Sequence, residues 1–385
     1  MMERKNYKNV IFYTEAFPPN RGGGENYSVD FAQTLTLLGY SLQVITPIHS
    51  EEDELFPFKV LRIRKPVFLR GFNFNLLELI KTLLENRTSI MHISGPTAID
   101  SILIIFCKIM RIPVVVTFHG QFNSKLGKLI LKITGKIFYP LSDRVIVQSN
   151  RDIDFLSTIN QNTKSKLLYF NGVNRDKYQC DSSASNIKLN SVEQFKFIFI
   201  GGISSSRPYK GIENLIRIFK KLFDEHKYKN VYLTIIGDGD LLPMIRSQTK
   251  NYTNILFLGN MSDTKLVNEL CKSDALILPS ISNGEGFGRV ALEAISCKKL
   301  VLVSKYAGIS ELIEKYNAGL IFDPNDISGS VERINFILNH RSFLIDYINN
   351  AEDMILYEEL DLVSSTKKTV EIYENILNKR KSKYE

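Results

Sequence analysis

Residues 274–313 read DALILPSISNGEGFGRVALEAISCKKLVLVSKYAGISELI, in which two short apolar runs flank a glycine-rich loop and a helix-like segment. The runs DALILPS and LVLVS have the length of buried strands, and the stretch between them has room for a loop and a helix. A strand, a helix and a second strand in this order form the repeating unit of a parallel sheet. This stretch therefore predicts an α/β domain.

Two glutamates of this stretch, Glu285 and Glu293, are separated by seven residues. If the segment between them is helical, the carboxylates lie about 12 Å apart, because each helical residue rises about 1.5 Å. That is too far to share a proton, and it exceeds the roughly 5 to 9.5 Å between the paired carboxylates of glycoside hydrolases. The spacing favours a clamp on two ends of one long ligand. The alternative is that Glu285 is a loop charge and Glu293 a solvated helix residue.

The alternation of strand-like and helix-like segments extends along the whole chain, with one interruption. It includes NVIFYTEAF, SLQVITP, PVVVTFHG and RVIVQS in the first half and FKFIFIGG, VYLTIIGDGD and NILFLGN in the second. A polar segment without periodicity, residues 178–191, reads as a linker. The 385 residues exceed what one core usually fills. We therefore expect two Rossmann-like α/β domains, residues 1–180 and 181–360, whose parallel sheets face a central cleft with the active site. A helix at about 360–385 should pack back near the first domain.

The net charge of +8 comes from the first half of the chain. Residues 1–190 contain 24 Lys and Arg against 16 Asp and Glu, whereas residues 191–385 contain 25 of each. An excess confined to one domain indicates that this domain faces an anionic partner. Nucleic acid is not supported, because the sequence has no helix-turn-helix spacing, zinc finger or RNP-type motif. Anionic phospholipid is the better candidate.

One basic segment, KLGKLILKITGKIFYP, starts at Lys125 and has the pattern of an amphipathic helix. Its lysines and apolar residues recur at helical spacing: Lys125, Lys128, Lys132 and Lys136, with Leu129, Ile130, Ile133 and Ile137. Such a helix can lie on anionic lipid headgroups, although a solvated lysine face above a core-packing face explains the pattern equally well. A second basic stretch, RIRKPVFLRGF, begins at Arg62. These segments favour an anionic membrane surface as a partner.

The spacing of the cysteines and the first residues of the chain indicate the cellular compartment of the protein. Four cysteines lie far apart without a C-x-x-C pair, namely Cys107, Cys180, Cys271 and Cys297. This spacing argues against a disulfide framework and against a structural zinc site. The first residues lack the apolar core of a signal peptide, and Lys108 interrupts the longest apolar run. We expect a cytoplasmic protein that can attach peripherally to the inner face of the cell membrane.

Residues 274–313 resemble the signature of the family 4 retaining glycosyltransferases, also called glycosyltransferase group 1, which are two-domain GT-B enzymes using nucleotide sugars. The likeness covers nearly the whole chain through FPPNRGGGENYS, VVVTFHG, FNGVN, FIGGISSSRPYKGIENLI and IIGDGD. Each piece is weak alone, but their order and spacing are specific. The resemblance implies a GT-B fold and transfer of a sugar from a UDP- or GDP-sugar to an acceptor hydroxyl, with retention and without a metal or other cofactor.

The resemblance also implies roles for the glutamates and the loop between them. In the family the second glutamate of E-x7-E holds the ribose hydroxyls and the first holds hydroxyls of the donor sugar, so these roles fall to Glu293 and Glu285. The backbone N–H groups of Gly286, Phe287 and Gly288 should open a helix, where unpaired amides favour an anion or a hydroxyl oxygen.

Arg207 and Lys210, in RPYKG, resemble the phosphate-binding cations of the family. Negative charge that builds on the departing nucleotide must be stabilised by such fixed cations. Many members carry an arginine at the position of Gly202, so Arg207 is here the candidate guanidinium. The alternative is that both are surface charges on a loop.

Four further residues match family positions around the donor. His119 follows VVVTF and corresponds to a histidine near the donor sugar, which with Glu285, Arg207 and Lys210 gives the predicted catalytic set. Gly23 and Gly24 correspond to a turn at the donor phosphates or the arriving acceptor. Met261 falls where the family packs against the nucleotide base.

Other functions remain open at this stage. GDGD, with Asp238 and Asp240, could bind a metal as D-x-D, but it also matches the family's turn after this strand. An epimerase acting on nucleotide sugars, or a catalytically idle nucleotide-sugar-binding partner, are the alternatives to transfer. By analogy, the acceptor is a lipid-linked oligosaccharide of lipopolysaccharide, capsule or another surface polysaccharide.

Overall fold

The fold consists of strands and helices that alternate along the chain. A computed structural model describes residues 9–19, 22–47, 55–63, 81, 83–85, 90–95, 98–120, 129, 131–164, 167–169, 171–180 and 194–382. The strands are β1 (Asn9–Thr14), β2 (Ser41–Pro47), β3 (Lys59–Ile63), β4 (Ile90–Gly95), β5 (Val114–Phe118), β6 (Arg144–Val147), β7 (Leu167–Tyr169), β8 (Phe195–Ile200), β9 (Val231–Ile236), β10 (Ile255–Gly259), β11 (Ala275–Leu278), β12 (Leu300–Ser304) and β13 (Leu320–Phe322). The helices are α1 (Gly23–Leu37), α2 (Ala98–Ile109), α3 (Asn150–Ile159), α4 (Gln161–Lys164), α5 (Ile212–His226), α6 (Leu242–Thr249), α7 (Asp263–Lys272), α8 (Arg289–Ser296), α9 (Ser310–Tyr316), α10 (Ile327–Asn339), α11 (Leu344–Tyr357) and α12 (Leu362–Lys381).

The chain forms two compact units, and the first is built from two separate stretches. The first unit contains Met1–Asn171 and Leu362–Glu385, and the second contains Gly172–Asp361. The sequence placed this boundary at residue 180, but residues 172–180 belong to the second unit. There the N–H of Val173 donates to Leu360 O at 2.9 Å, and Cys180 is bonded to Cys271.

The first unit contains a parallel sheet in the order β3-β2-β1-β4-β5-β6-β7. Strands β4 and β5 are buried along their whole length, as expected for central strands covered by helices on both faces. Helix α12 supplies part of this cover, since Ile372, Tyr373 and Ile376 join the buried cluster around Phe12 and Phe31. The order reverses between β1 and β4, where such sheets bind ligands at the carboxyl ends of the strands.

The second unit contains a parallel sheet in the order β10-β9-β8-β11-β12-β13. Phe197 of β8 packs against Phe219 of α5 and against Phe195. The apolar residues of α5 recur every three or four positions and face this core. The strand order reverses between β8 and β11. The predicted pair of Rossmann-like parallel α/β units is therefore confirmed, and the second switch point follows Ile200 and Leu278.

A disulfide joins Cys180 to Cys271 in the second unit, although the cysteine spacing argues against a disulfide framework. The two residues are 91 positions apart in sequence. Sequence spacing could not reveal that the start of the second unit passes beside the end of α7. Among the described residues, no helix is both long enough and apolar enough to cross a membrane.

Candidate active site

The loops that follow β8 and β11 are held together at the switch point of the second sheet. Ile281 N donates to Tyr209 O at 2.9 Å. Gly211 has φ +68, and a Cβ on this residue would lie 1.9 Å from Pro279 O. Only glycine tolerates both the backbone conformation and this approach. The loop carrying Lys210 is thereby fixed against the loop carrying Glu285.

Lys210 and Glu285 form an ion pair between these two loops. Lys210 Nζ lies 2.8 Å from Glu285 Oε2 and 3.0 Å from Oε1, and the two side chains are 17% and 9% exposed. Ser280 Oγ donates to Glu285 Oε2 at 3.0 Å. Burial is the largest single effect and disfavours the charged ammonium, but the charge and hydrogen bond of Glu285, together with Tyr209, raise the pKa of Lys210 above its ordinary value. The pair thus holds the Lys210 ammonium in a fixed position beside Glu285 at the strand ends.

Arg207 lies three residues before Lys210, and its side chain is exposed. A Cβ on Gly202 would lie 3.5 Å from Arg207 Nη1 and 3.6 Å from its Cδ, so the arginine side chain runs beside the Gly202 backbone. The positive charge of Arg207 also acts on Lys210, where it opposes protonation. Two cations therefore act on the same region beyond β8.

The GEGFG loop connects β11 to α8 and is hydrogen-bonded to the backbone of residues 308 and 309. Gly286 O accepts from Gly308 N at 2.9 Å, and Phe287 O accepts from Ile309 N at 2.8 Å. Gly288 precedes α8 with φ +89, and a Cβ there would lie 2.8 Å from Leu278 Cδ2. In the first turn of α8, Ala291 N donates to Gly288 O at 2.9 Å.

Glu285 and Glu293 are not joined by continuous helix, so the assumption behind the 12 Å estimate was wrong. Helix α8 begins at Arg289, because Gly288 takes a left-handed conformation that ends the loop. Glu285 belongs to the loop and bonds to Lys210, whereas Glu293 lies within α8 and is 6% exposed. The prediction that Glu293 would be a solvated helix residue, the alternative to the clamp, does not fit this burial.

The carboxylates of the GDGD segment bond to neighbouring loops. Asp238 Oδ1 accepts from Gly239 N at 2.7 Å. Asp240 accepts from both the N–H and the hydroxyl of Ser205, and these bonds, with that from Ser204, lower the pKa of Asp240 to about 2. The segment acts as a turn that supports the loop leading to Arg207.

His119 follows β5 in the first unit and is half-buried. Its Nε2 lies 2.7 Å from Ser94 Oγ at the end of β4, and its ring meets the Tyr27 ring edge-on with centroids 5.2 Å apart. Gly23 and Gly24 open α1 and are exposed, and no atom lies within 4 Å of a Cβ built on Gly23. These residues lie beyond the carboxyl ends of β1, β4 and β5.

Met261 lies between β10 and α7 and is half-buried. It shares the second unit with Arg207, Lys210, Glu285 and Glu293. Of the predicted site residues, the structure directly joins Lys210 to Glu285 and places Arg207 within electrostatic reach of Lys210.

Two family models match the chain. Glycosyltransferase Family 4 matches residues 21–177, and Glycosyl transferases group 1 matches residues 183–354. Together they cover most of its length. The chain belongs to the group 1, family 4 glycosyltransferases.

The chain is similar to glycosyltransferases from two different organisms. It is 28% identical over 268 residues to an uncharacterised glycosyltransferase of Methanocaldococcus jannaschii, covering 68% of this chain and 66% of that protein. It is 26% identical over 398 residues to the GPI3 subunit of phosphatidylinositol N-acetylglucosaminyltransferase of Saccharomyces cerevisiae, covering 96% and 83%. The matched part spans just under two thirds of the first relative.

Solved glycosyltransferase structures share the fold. A glycosyltransferase from Rickettsia africae superimposes with a TM-score of 0.76 at 20% identity, covering 97% of this chain and 99% of that one. Anabaena HepE, solved in complex with UDP-glucose, gives 0.73 at 18% identity, covering 96% and 99%. The predicted GT-B fold of this glycosyltransferase is confirmed.

Sequence reasoning missed two residues that shape the site of the glycosyltransferase. Ser280 holds Glu285, and Ser304 Oγ donates to Ser280 O. Arg289, the first residue of α8, donates to Gly172 O at 2.6 Å. Ser280 could have been found, because it is a polar residue shortly after the buried strand β11. The contact of Arg289 could not, because its partner Gly172 is distant in sequence.

Proposed function

We propose that this glycosyltransferase moves a sugar from a nucleotide diphosphate sugar, with UDP or GDP as the nucleotide, to an acceptor hydroxyl with retention of configuration. The observation that carries the proposal is the partly buried ion pair of Lys210 and Glu285 at the switch point of the second sheet. It supplies a cation for phosphate beside an anion for sugar hydroxyls, which are the two chemical features of such a donor.

The diphosphate would lie against Lys210 and Arg207. Breaking the bond between sugar and phosphate leaves charge on the nucleotide, and cations already fixed in position stabilise that charge without reorganising. Lys210 is fixed by Glu285, and its raised pKa keeps it positive at neutral pH. Catalysis then rests on position and charge, and no metal is required by the proposal.

Glu285 would bind the donor sugar and would not act as a base. Its two oxygens accept from the Lys210 ammonium, and Oε2 also accepts from Ser280. Each carboxylate oxygen offers about two lone pairs, so capacity for sugar hydroxyls remains. In a retaining reaction of this family the departing phosphate oxygen takes the acceptor proton on the same face, with His119 near the donor sugar. Glu293 would hold the ribose.

The acceptor is proposed to be lipid-linked, as in the synthesis of lipopolysaccharide, capsule or another surface polysaccharide. The yeast relative named above is part of an enzyme whose name specifies phosphatidylinositol as acceptor, which supports a lipid acceptor here by analogy. The first unit has a surface suited to a membrane.

That surface, called the apolar face, lies on α2 and on the neighbouring helical residues 129 and 131–141. Its members are large exposed aliphatic side chains at helical spacing: Ile102, Ile105 and Ile109, with Leu129, Ile133, Ile137 and Leu141. Ser101 Oγ lies 3.3 Å from Thr134 Oγ1, which joins the two segments. Lys132 and Lys136 are exposed beside them.

Exposed apolar side chains interleaved with lysines match an anionic bilayer, because the former enter the headgroup boundary and the latter meet phosphate. The face therefore favours membrane contact over a purely solvated lysine face. Lys125, Lys128 and Ile130 of the predicted amphipathic helix, and residues 64–72 of the second basic stretch, lie outside the described residues.

A donor screen tests the proposed reaction. Purified protein is incubated with a panel of UDP- and GDP-sugars, first alone and then with lipid-extracted acceptor from the native host, and products are read by NMR. The expected result is slow nucleotide release alone, faster release with acceptor, and a glycoside with the anomeric configuration of the donor. An inverted anomer would refute retention. An altered free sugar would indicate an epimerase, and binding without turnover would indicate an idle partner.

A further inference from the structure

Three cysteine sulfurs meet at one place in the second unit. Cys180 ends residues 172–180, here called the connector; Cys271 lies near the end of α7, and Cys297 directly follows α8. Their Sγ atoms all lie within 4.8 Å of one another. Cys180 and Cys271 form the disulfide, while Cys297 is a buried free thiol. Among the described residues, this is the only such group of three metal-ligating side chains.

The arrangement fits the coordination of a thiophilic cation. Zinc binds thiolate sulfur at about 2.3 Å, and tetrahedral angles then place the sulfurs about 3.8 Å apart. The Cys297 sulfur lies within 4.8 Å of the other two, so it is at most about 1 Å farther away than that spacing. The Cα atoms of Cys180 and Cys271 are 5.5 Å apart, and their half-buried side chains can separate by rotation about χ1 once the disulfide is opened. Solvent can supply a fourth ligand on this open side.

We propose that Cys180, Cys271 and Cys297 bind one divalent cation of the zinc type when the disulfide between the first two is reduced. A dithiol reductant passes two electrons and two protons to the disulfide and itself becomes a disulfide. The cation then displaces three thiol protons, so the centre has one net negative charge. The Lys299 side chain is close by, since its Nζ donates to Cys271 O at 2.7 Å, and its ammonium offsets that charge.

The centre would link the connector to the helix that carries Glu293. Arg289, at the start of α8, already bonds to Gly172 at the start of the connector. Cys297, at the other end of α8, lies beside Cys180 at the end of the connector. Either the disulfide with its neighbouring thiol or the bound cation would hold the connector along α8. The inference does not depend on the proposed reaction.

Cadmium titration of the full chain tests the proposal. The protein is reduced with dithiothreitol, freed of reductant without oxygen, and titrated with Cd²⁺ while the ultraviolet charge-transfer band from thiolate to cadmium is recorded. We expect saturation at one cation per chain, and no band in the oxidised chain, in which two of the three ligands are bonded to each other.

Two variants and one control complete the test. Cys297→Ala and Cys180→Ser should each weaken cadmium binding by more than the roughly 10- to 100-fold that loss of an outer-shell partner costs. Cys180 is half-buried, so its variant remains informative if Cys297→Ala fails to fold. Cys107→Ala, in the first unit, should change nothing. A reduced wild-type chain without the band, or variants that bind as tightly as the wild type, would overturn the proposal.

Discussion

The side chain of Arg207 runs in van der Waals contact with the position that a Cβ on Gly202 would take, with Nη1 3.5 Å from it. Many members of the family carry their phosphate-binding arginine at the position of Gly202. A guanidinium can therefore reach the same place from either position. We expect that Gly202→Arg can replace the guanidinium that Arg207→Ala removes.

Arg207→Ala should lower kcat/KM about 10- to 100-fold, because about 1.4 to 2.7 kcal/mol of charge stabilisation in the transition state is lost. Adding Gly202→Arg to this variant should recover most of the loss. Asn251→Arg, which adds the same charge at an exposed position after α6, is the control. If Gly202→Arg helps no more than this control, the shared position of the two guanidinium groups is wrong.

Lys210→Ala should lower kcat about 10²- to 10³-fold, the cost of removing one preorganised donor to developing charge. It should also destabilise the second unit, because the buried Glu285 carboxylate loses its partner. The double variant with Glu285→Gln separates the effects, since it should restore thermal stability but not turnover. Full activity of Lys210→Ala, with the exposed Lys265→Ala as reference, would remove Lys210 from the mechanism.

Glu293→Gln should weaken donor binding and leave kcat nearly unchanged. A hydrogen bond to a charged acceptor contributes about 1.5 to 3 kcal/mol, so Kd for the free nucleotide should rise about 10- to 100-fold. Isothermal titration with the nucleotide selected by the donor screen gives the value. The matched control is Glu314→Gln on the exposed side of α9. If Glu293→Gln binds the nucleotide as tightly as the wild type, Glu293 does not bind the ribose and has only a structural role.

The apolar face should bind anionic vesicles. We expect the wild type to float with vesicles of phosphatidylglycerol and phosphatidylcholine and to dissociate partly in high salt, because salt screens the lysine contribution. Ile133→Asp combined with Ile137→Asp should abolish flotation, whereas Leu258→Asp, a comparably exposed aliphatic residue on β10, should not. A wild type that stays at the bottom of the gradient would make the lysines an ordinary solvated surface.

His92 should make the stability of the first unit depend on pH. It is fully buried, with Nε2 2.6 Å from Thr117 Oγ1 and Nδ1 bonded to the Tyr373 hydroxyl. Burial, aided by the charge of His119, lowers the pKa of His92 to about 3 from an ordinary value of 6.5. Between pH 3 and pH 6.5, His92 therefore binds a proton in the unfolded chain but not in the folded chain. The contribution of neutral His92 to the free energy of unfolding is fully present above pH 6.5. It falls by about 1.4 kcal/mol per pH unit below that value.

Calorimetry at pH 7.5 and 5.5 tests this dependence. His92→Gln should be less stable than the wild type at pH 7.5. Its melting temperature should fall less than that of the wild type between pH 7.5 and pH 5.5. His340→Gln, at an exposed histidine after α10, should retain the wild-type difference. Equal pH shifts in all three proteins would contradict the assignment to His92.

The sequence assigns Lys210 and Glu285 to one site, and the structure brings their side chains into contact. Lys210 and Glu285 come together because each lies in a loop after adjacent parallel strands, and that adjacency follows from the alternation of strands and helices. The start of α8 was misjudged because Gly288 adopts a left-handed conformation that sequence periodicity does not reveal. The Cys180–Cys271 contact and the bond from Arg289 to Gly172 depend on tertiary packing between distant segments, for which one sequence gives no spacing rule.

The return of α12 to the first unit has a consequence for biosynthesis. The ribosome makes the strands of the first sheet, then the entire second unit, and only afterwards Tyr373 and the residues around it that cover the first sheet. The second unit can finish folding while the first still has an uncovered apolar surface. Nascent chains should therefore bind chaperones through their earliest segments until their latest helix emerges.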